Sequence, residues 1–223
     1  MRAQPAFLSK RMLESTAEQV LEAYRGGERL EDRIPLDIDS FAEFYLQATI
    51  DYHQLSSDGS VLGMSIFQEL TVPTVGAGSC GVGVMFPART IVIDHEALSD
   101  SPESRRRFTL AHECAHLILH QDSVSSESSM TCSGRSSYRA LTTDSENART
   151  DSFDRAEYQA NYLGAALLMP RSVFSQAYRE LVPDGWYGLA EQEKHDVVSV
   201  LADTFETSLQ ATSLRIKNLK LAT

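Results

Sequence analysis

Within RRFTLAHECAHLILH, residues 106–120, His112, Glu113 and His116 stand in the spacing His-Glu-x-x-His. This pattern constrains the fold because side chains four apart become neighbours only on a helix, where two imidazoles can face one ion. Leu110, Ala111, Cys114, Leu117 and Ile118 fall on the opposite side, so the helix can bury one face and aim its histidines into a cleft. The helix is expected from about Pro102 to His120, with Asp100 and Glu103 as a capping box and Pro102 in the first turn. His120 lies eight residues past His112, roughly 12 Å along the axis, too far to share an ion with both motif histidines.

A hydrolytic zinc site wants three protein ligands and an open position, so a second element must supply another donor. Glu157, in DRAEYQANYLGAALLMP, begins one face of a helix expected from about Asp154 to Leu168. Asn161 lies one turn on, placed to accept from the non-metal nitrogen of a histidine and fix its tautomer. Ala160, Leu163, Ala166 and Leu167 can pack behind them. Asp154 is a further candidate ligand almost a turn earlier. Glu127, Asp144, Glu146 and Asp151 lie in a Ser-rich stretch that offers little positional precision. His53, His95 and His195 have no ligand-like neighbours.

The remaining chain reads as α+β. Residues 1–33 hold an amphipathic helix with Met12, Leu13, Val20, Leu21 and Tyr24 near one face. LDIDSFAEFYLQATIDY reads as a second helix capped by Asp39 or Ser40. VLGMSIF, GVGVMF and TIVID are short β-rich runs that suggest a small sheet. Residues 121–152 are rich in Ser, Thr and acids and read as a mobile surface insert. A helix follows Pro170, and residues 183–223 end in two helices joined by a turn near Glu206–Ser208. Residues 34–182 form the central domain between these flanks.

Composition narrows the setting. Three cysteines without a CxxC pair suit the reducing cytoplasm. No apolar run approaches the ~20 residues of a membrane-spanning helix, and the N-terminus lacks a signal-like apolar core. A formal charge of −11 does not suit nucleic acid as a direct partner.

SRRRFTLAHECAHLILH followed by EYQANYLGAALLMP resembles the ImmA/IrrE family of bacterial zinc metallo-endopeptidases. Weaker similarity at RIPLDIDSFAEFYL and LADTFETSLQATSLRIKNL extends the likeness over most of residues 34–220. The resemblance implies a zincin-like fold, one zinc per chain held by His112, His116 and Glu157, and Glu113 as general base. It also implies a helix-turn-helix repressor or antitoxin-like partner as substrate. Cys114-Ala115 stands where Leu-Gly is often found, and the Ser-rich insert is longer than usual. His120, Tyr158 and Tyr162 stand as candidates for contact with substrate or oxyanion. Two competing readings remain: a DNA-binding regulator using Arg215, Lys217 and Lys220 of the C-terminal pair, and an interaction module with a structural zinc.

Overall fold

The computed structural model describes residues 6–27, 30–75, 83–121, 130–134 and 152–222. Helix α1 spans Lys10–Arg25. The Ser9 hydroxyl accepts from the Met12 amide at its start, and Gly26 ends it in the left-handed conformation at φ 62°. Leu13, Glu14, Ala17 and Leu21 form its buried face, whereas Met12, expected on that stripe, is 51% exposed. Burying each of the two leucines contributes about 1.5–3 kcal/mol.

The second expected helix is only half present. Helix α2 covers Ile38–Ser40 and runs on as a π turn over Phe41–Tyr45. Its cap is Asp37 rather than Asp39 or Ser40: the Asp37 carboxylate accepts from the Ser40 amide at 2.9 Å. Asp39 is held instead by a two-pronged contact from Arg106, both distances 2.8 Å. Gln47, at φ 54°, then turns the chain, and Thr49–His53 becomes strand β1. The β-branched Thr49 and Ile50 pair with Thr90 and Ile91, a long-range partnership that overrides the helical reading.

Strands β2 (Val61–Ile66), β3 (Leu70–Val72), β4 (Val84–Phe86) and β5 (Thr90–Asp94) follow in the expected β-rich region. The Ser-rich stretch supplies a sixth, β6 (Met130–Gly134), where a structureless insert was expected. Ladder pairing with β2 places this segment in the sheet. Residues 122–129 and 135–151, with Glu127, Asp144, Glu146 and Asp151, lie outside the described residues. The main sheet has the order β1-β5-β2-β6; β1 is parallel to β5, and β2 is antiparallel to both β5 and β6. β3 and β4 form a separate antiparallel pair.

The short α3 (His95–Leu98) leads to α4 (Glu103–Leu119), the motif helix. The capping box does not form. Pro102 is the N-cap, without a side-chain hydrogen bond, and Glu103 accepts from Arg106 instead. From Arg107 to Leu117 every residue of α4 is buried, so this helix is enclosed on all sides rather than on one face. β2 and β5 cover one flank and α5 (Ser152–Leu168) the other, with α1 packed behind α5.

Helices α6 (Arg171–Leu181), α7 (Glu191–Phe205) and α8 (Leu209–Asn218) share a second apolar cluster of Met169, Phe174, Tyr178, Leu201, Phe205 and Ile216. Glu206, at φ 50°, makes the tight turn expected between α7 and α8. Arg107 ties that turn to the motif helix: its guanidinium lies 3.2 Å from the Glu206 carboxylate and donates to the Leu36 carbonyl at 2.9 Å. Among the described residues, no helix is long and apolar enough to cross a membrane.

Candidate metal centre

The centre forms where α5 comes unusually close to α4. A β-carbon on Gly164 would fall 3.1 Å from the carbonyl carbon of Ala111 and 3.1 Å from the amide nitrogen of His112. Only a glycine lets the two backbones approach so far. About two turns earlier on α5, Glu157 meets the motif histidines. Its Oε2 lies 3.3 Å from His112 Nε2 and its Oε1 3.2 Å from His116 Nε2, and the two Nε2 atoms are 2.9 Å apart.

These spacings fit one small cation. Ligands about 2.0–2.1 Å from a tetrahedral zinc stand about 3.3–3.4 Å from one another. Both nitrogen–carboxylate distances match that edge, and the nitrogen pair is slightly tighter. Two facing imidazole nitrogens and a carboxylate also form a donor set that suits zinc. Among the described residues, His112, His116 and Glu157 are the group that could hold a metal ion.

The far nitrogens of both imidazoles are held. His112 Nδ1 donates to Asn161 Oδ1 at 3.0 Å, so in the neutral ring the lone pair is on Nε2. His116 Nδ1 faces Nδ1 of His120, also at 3.0 Å. His120 is itself buried and does not reach the convergence point of the three donors.

Burial and pairing set the charges. Burial would raise the Glu157 pKa, but its close contacts with His112 and His116 outweigh it and hold the group well below the usual carboxylate range. Burial pushes His116 down to about 4 despite its contact with Glu157. Burial also opposes charge on His112; there the Glu157 hydrogen bond and the nearby charges of Glu113 and Glu157 prevail, and its pKa is raised. At and below pH 6.5 the metal-free centre therefore keeps a proton on His112. Burial also lowers His120 and raises the thiol of Cys114, which faces the apolar core and is chemically quiet.

Glu113 points toward the sheet and is fully buried. The Ser65 hydroxyl on β2 lies 2.6 Å from its Oε2 and 3.0 Å from its backbone carbonyl oxygen. The shorter contact is a charge-assisted hydrogen bond that steadies the carboxylate. Gly63, two residues earlier on β2, makes room for it: a β-carbon there would lie 3.0 Å from Glu113 Oε1. Gly63 and Ser65 escaped the sequence reading. Their only signal is small residues spaced by two in VLGMSIF, one face of a strand.

The other candidates have distinct surroundings. The Tyr162 hydroxyl donates to Glu14 at 2.7 Å, and burial pushes its pKa well above the usual tyrosine range. Tyr158 is half-buried, its ring 6.2 Å from that of Tyr162. Residues 79–217 match the IrrE N-terminal-like domain of the Peptidase_M78 family, well over half of the chain. This protein belongs to the Peptidase_M78 family. Membership assigns it a metallopeptidase-type domain, in a family that is typically zinc-dependent. The matched span contains α4, α5 and all three donors. No curated protein matches the Peptidase_M78 chain in sequence. Among solved structures, it is similar to a Mycobacterium tuberculosis transcriptional regulator at 14% identity and a TM-score of 0.48. The alignment covers 92% of this chain and 46% of the other, so the chain spans less than half of that protein's length.

Proposed function

We propose that this protein is a cytoplasmic zinc endopeptidase with a zincin-like centre, which cleaves a helix-turn-helix repressor or antitoxin-like partner. The observation that carries the hydrolytic part is the convergence of His112, His116 and Glu157 on one buried point, with Glu113 next to His112 on the same helix. The substrate class follows from the resemblance to ImmA/IrrE peptidases.

Zinc held by His112, His116 and Glu157 would supply Lewis acidity to the scissile carbonyl and acidify water. Glu113 acts as the base, taking the proton of the attacking water and passing it to the leaving amine. Ser65 keeps the Glu113 carboxylate oriented by donating to Oε2, so the group enters the reaction already aimed. Asn161 keeps the proton of His112 on Nδ1 and its lone pair toward the ion. Tyr158, Tyr162 and His120 are not needed for these roles.

The competing readings have less support. Arg215, one of three cations that a DNA-binding C-terminal pair would use, is 2% exposed and paired with Glu14. Lys217 and Lys220 alone make a small phosphate-binding footprint. A closed structural zinc site needs a fourth protein ligand, and the group among the described residues has three members.

The test is elemental analysis of wild type, His116→Ala, Glu157→Ala and Glu113→Gln, followed by co-expression with helix-turn-helix repressors. One zinc per chain is expected in wild type and Glu113→Gln and is lost in the other two. Repressor cleavage is expected from wild type alone. Cleavage by Glu113→Gln at the wild-type rate would remove Glu113 from the mechanism, and a wild-type protein that takes up no zinc would sink the peptidase reading.

A further inference from the structure

Three contacts lead away from the metal-facing nitrogen of His116 to the start of the chain. His116 Nδ1 lies 3.0 Å from His120 Nδ1, and His120 Nε2 lies 3.1 Å from Gln159 Oε1. Gln159 Nε2 in turn donates to the backbone carbonyl of Ala6 at 2.8 Å. The three side chains are buried, at 0, 4 and 1% exposure. Water therefore does not compete for these contacts.

The direction of every hydrogen bond in the line follows from its last member. A carbonyl oxygen only accepts, so the Gln159 atom facing Ala6 is the amide NH2 and the atom facing His120 is the oxygen. That oxygen also only accepts, so His120 Nε2 carries its hydrogen. In the neutral ring the His120 lone pair is then on Nδ1, where it accepts from His116 Nδ1–H. The lone pair of His116 is left on Nε2, the nitrogen 3.2 Å from Glu157. Reversing the line would set the Gln159 oxygen against the Ala6 oxygen, two acceptors with no hydrogen between them.

We propose that the Ala6 carbonyl, acting through Gln159 and His120, fixes the tautomer of His116 and so presents its Nε2 lone pair to the metal. Gln159 and His120 are positioning residues, and the segment ahead of α1 is a working part of the metal site. The proposal rests on the reading of His112, His116 and Glu157 as metal ligands. It gives His116 what Asn161 gives His112, by a longer route that crosses from α4 through α5 to the N-terminal segment.

The experiment uses the full-length protein, labelled with nitrogen-15 in histidine and freed of metal, with long-range proton–nitrogen correlation spectra at pH 8. The expected pattern is Nδ1–H for His116 and Nε2–H for His120. An Nδ1–H form of His120 in the wild type overturns the proposal, whatever any variant does. Gln159→Met removes the acceptor at nearly constant volume. It should mix the His120 and His116 tautomers and weaken zinc binding about tenfold in a chelator competition. A packing role alone would lower the melting temperature and leave the tautomers unchanged, which also overturns it. A wild-type protein that shows the expected tautomers but binds no zinc defeats the metal reading and leaves the relay standing.

Discussion

The α-carbon of Gly164 faces the amide of His112 so closely that a β-carbon would stand 3.1 Å from its nitrogen. Gly164→Ala therefore sets two effects against each other. Alanine favours the helix by about 1 kcal/mol. Overpacking against a neighbour costs about 1–3 kcal/mol, and here that neighbour is helix backbone, which cannot rotate away. The variant should lose up to about 2 kcal/mol and bind zinc more weakly, because α5 carries Glu157 with it when it shifts. Thermal unfolding and chelator competition measure both. A stabilised variant with unchanged affinity would mean that the two helices have slack.

Gly63 and Ser65 make a separate prediction about Glu113. A β-carbon at position 63 would also lie 2.9 Å from Thr109 Cγ2, so Gly63→Ala must displace the Thr109 and Glu113 side chains or the strand. Ser65→Ala removes the 2.6 Å donor to its carboxylate. Both should reduce peptide hydrolysis about tenfold or more while zinc content stays at the wild-type level. Loss of zinc in either variant would show that β2 shapes the metal ligands rather than the base.

What could be read from the chain divides by the range of the interaction. The histidine pair and the Glu157–Asn161 face are legible because helix geometry links residues four apart whatever surrounds them. The helical reading fails at Thr49–Tyr52 because their strand identity depends on β5, and the reading of Met130–Gly134 as insert fails because their pairing depends on β2. Gly63 and Gly164 look like ordinary weak points in a strand and a helix; the need for them appears only when another backbone or carboxylate arrives. Arg215 reads as a solvated cation until Glu14, from the other end of the chain, is placed beside it.

Zinc binding should release a proton. The His112 pKa is raised above its ordinary 6.5, so at and below that pH the metal-free centre holds a proton that the ion must displace. Affinity should fall as pH falls, approaching about tenfold per unit for one proton displaced. Calorimetry in buffers of differing ionisation enthalpy counts the released protons directly. The metal-free protein has the opposite dependence. Its His112–Glu157 attraction is fully present below 6.5 and disappears as pH rises through the raised pKa. Zinc affinity that does not change between pH 6 and 8 would contradict the assignment.

Glu14 and Arg215 form a buried pair, with side-chain exposures of 7 and 1% and both terminal guanidinium nitrogens engaged by the carboxylate. Arg215→Met should cost about 3–5 kcal/mol, because it leaves the Glu14 charge buried without its partner. The double variant Glu14→Leu with Arg215→Met should recover most of that loss. Denaturant unfolding of the full cycle checks it. A double variant as unstable as the single one would mean that Tyr162 and Met169, which also contact the pair, depend on its charges.

That pairing also governs how the chain is made. Glu14 leaves the ribosome 201 residues ahead of Arg215, so α1 must wait for α8 before its carboxylate can be enclosed. At about 5–20 residues per second the delay is on the order of ten seconds or more. During that time α4 and α5 can already bring the metal ligands together, but the helix that backs α5 still carries an unanswered charge. A nascent chain can thus hold the parts of a hydrolytic centre before it is sealed, and α8 completes the enclosure once it emerges.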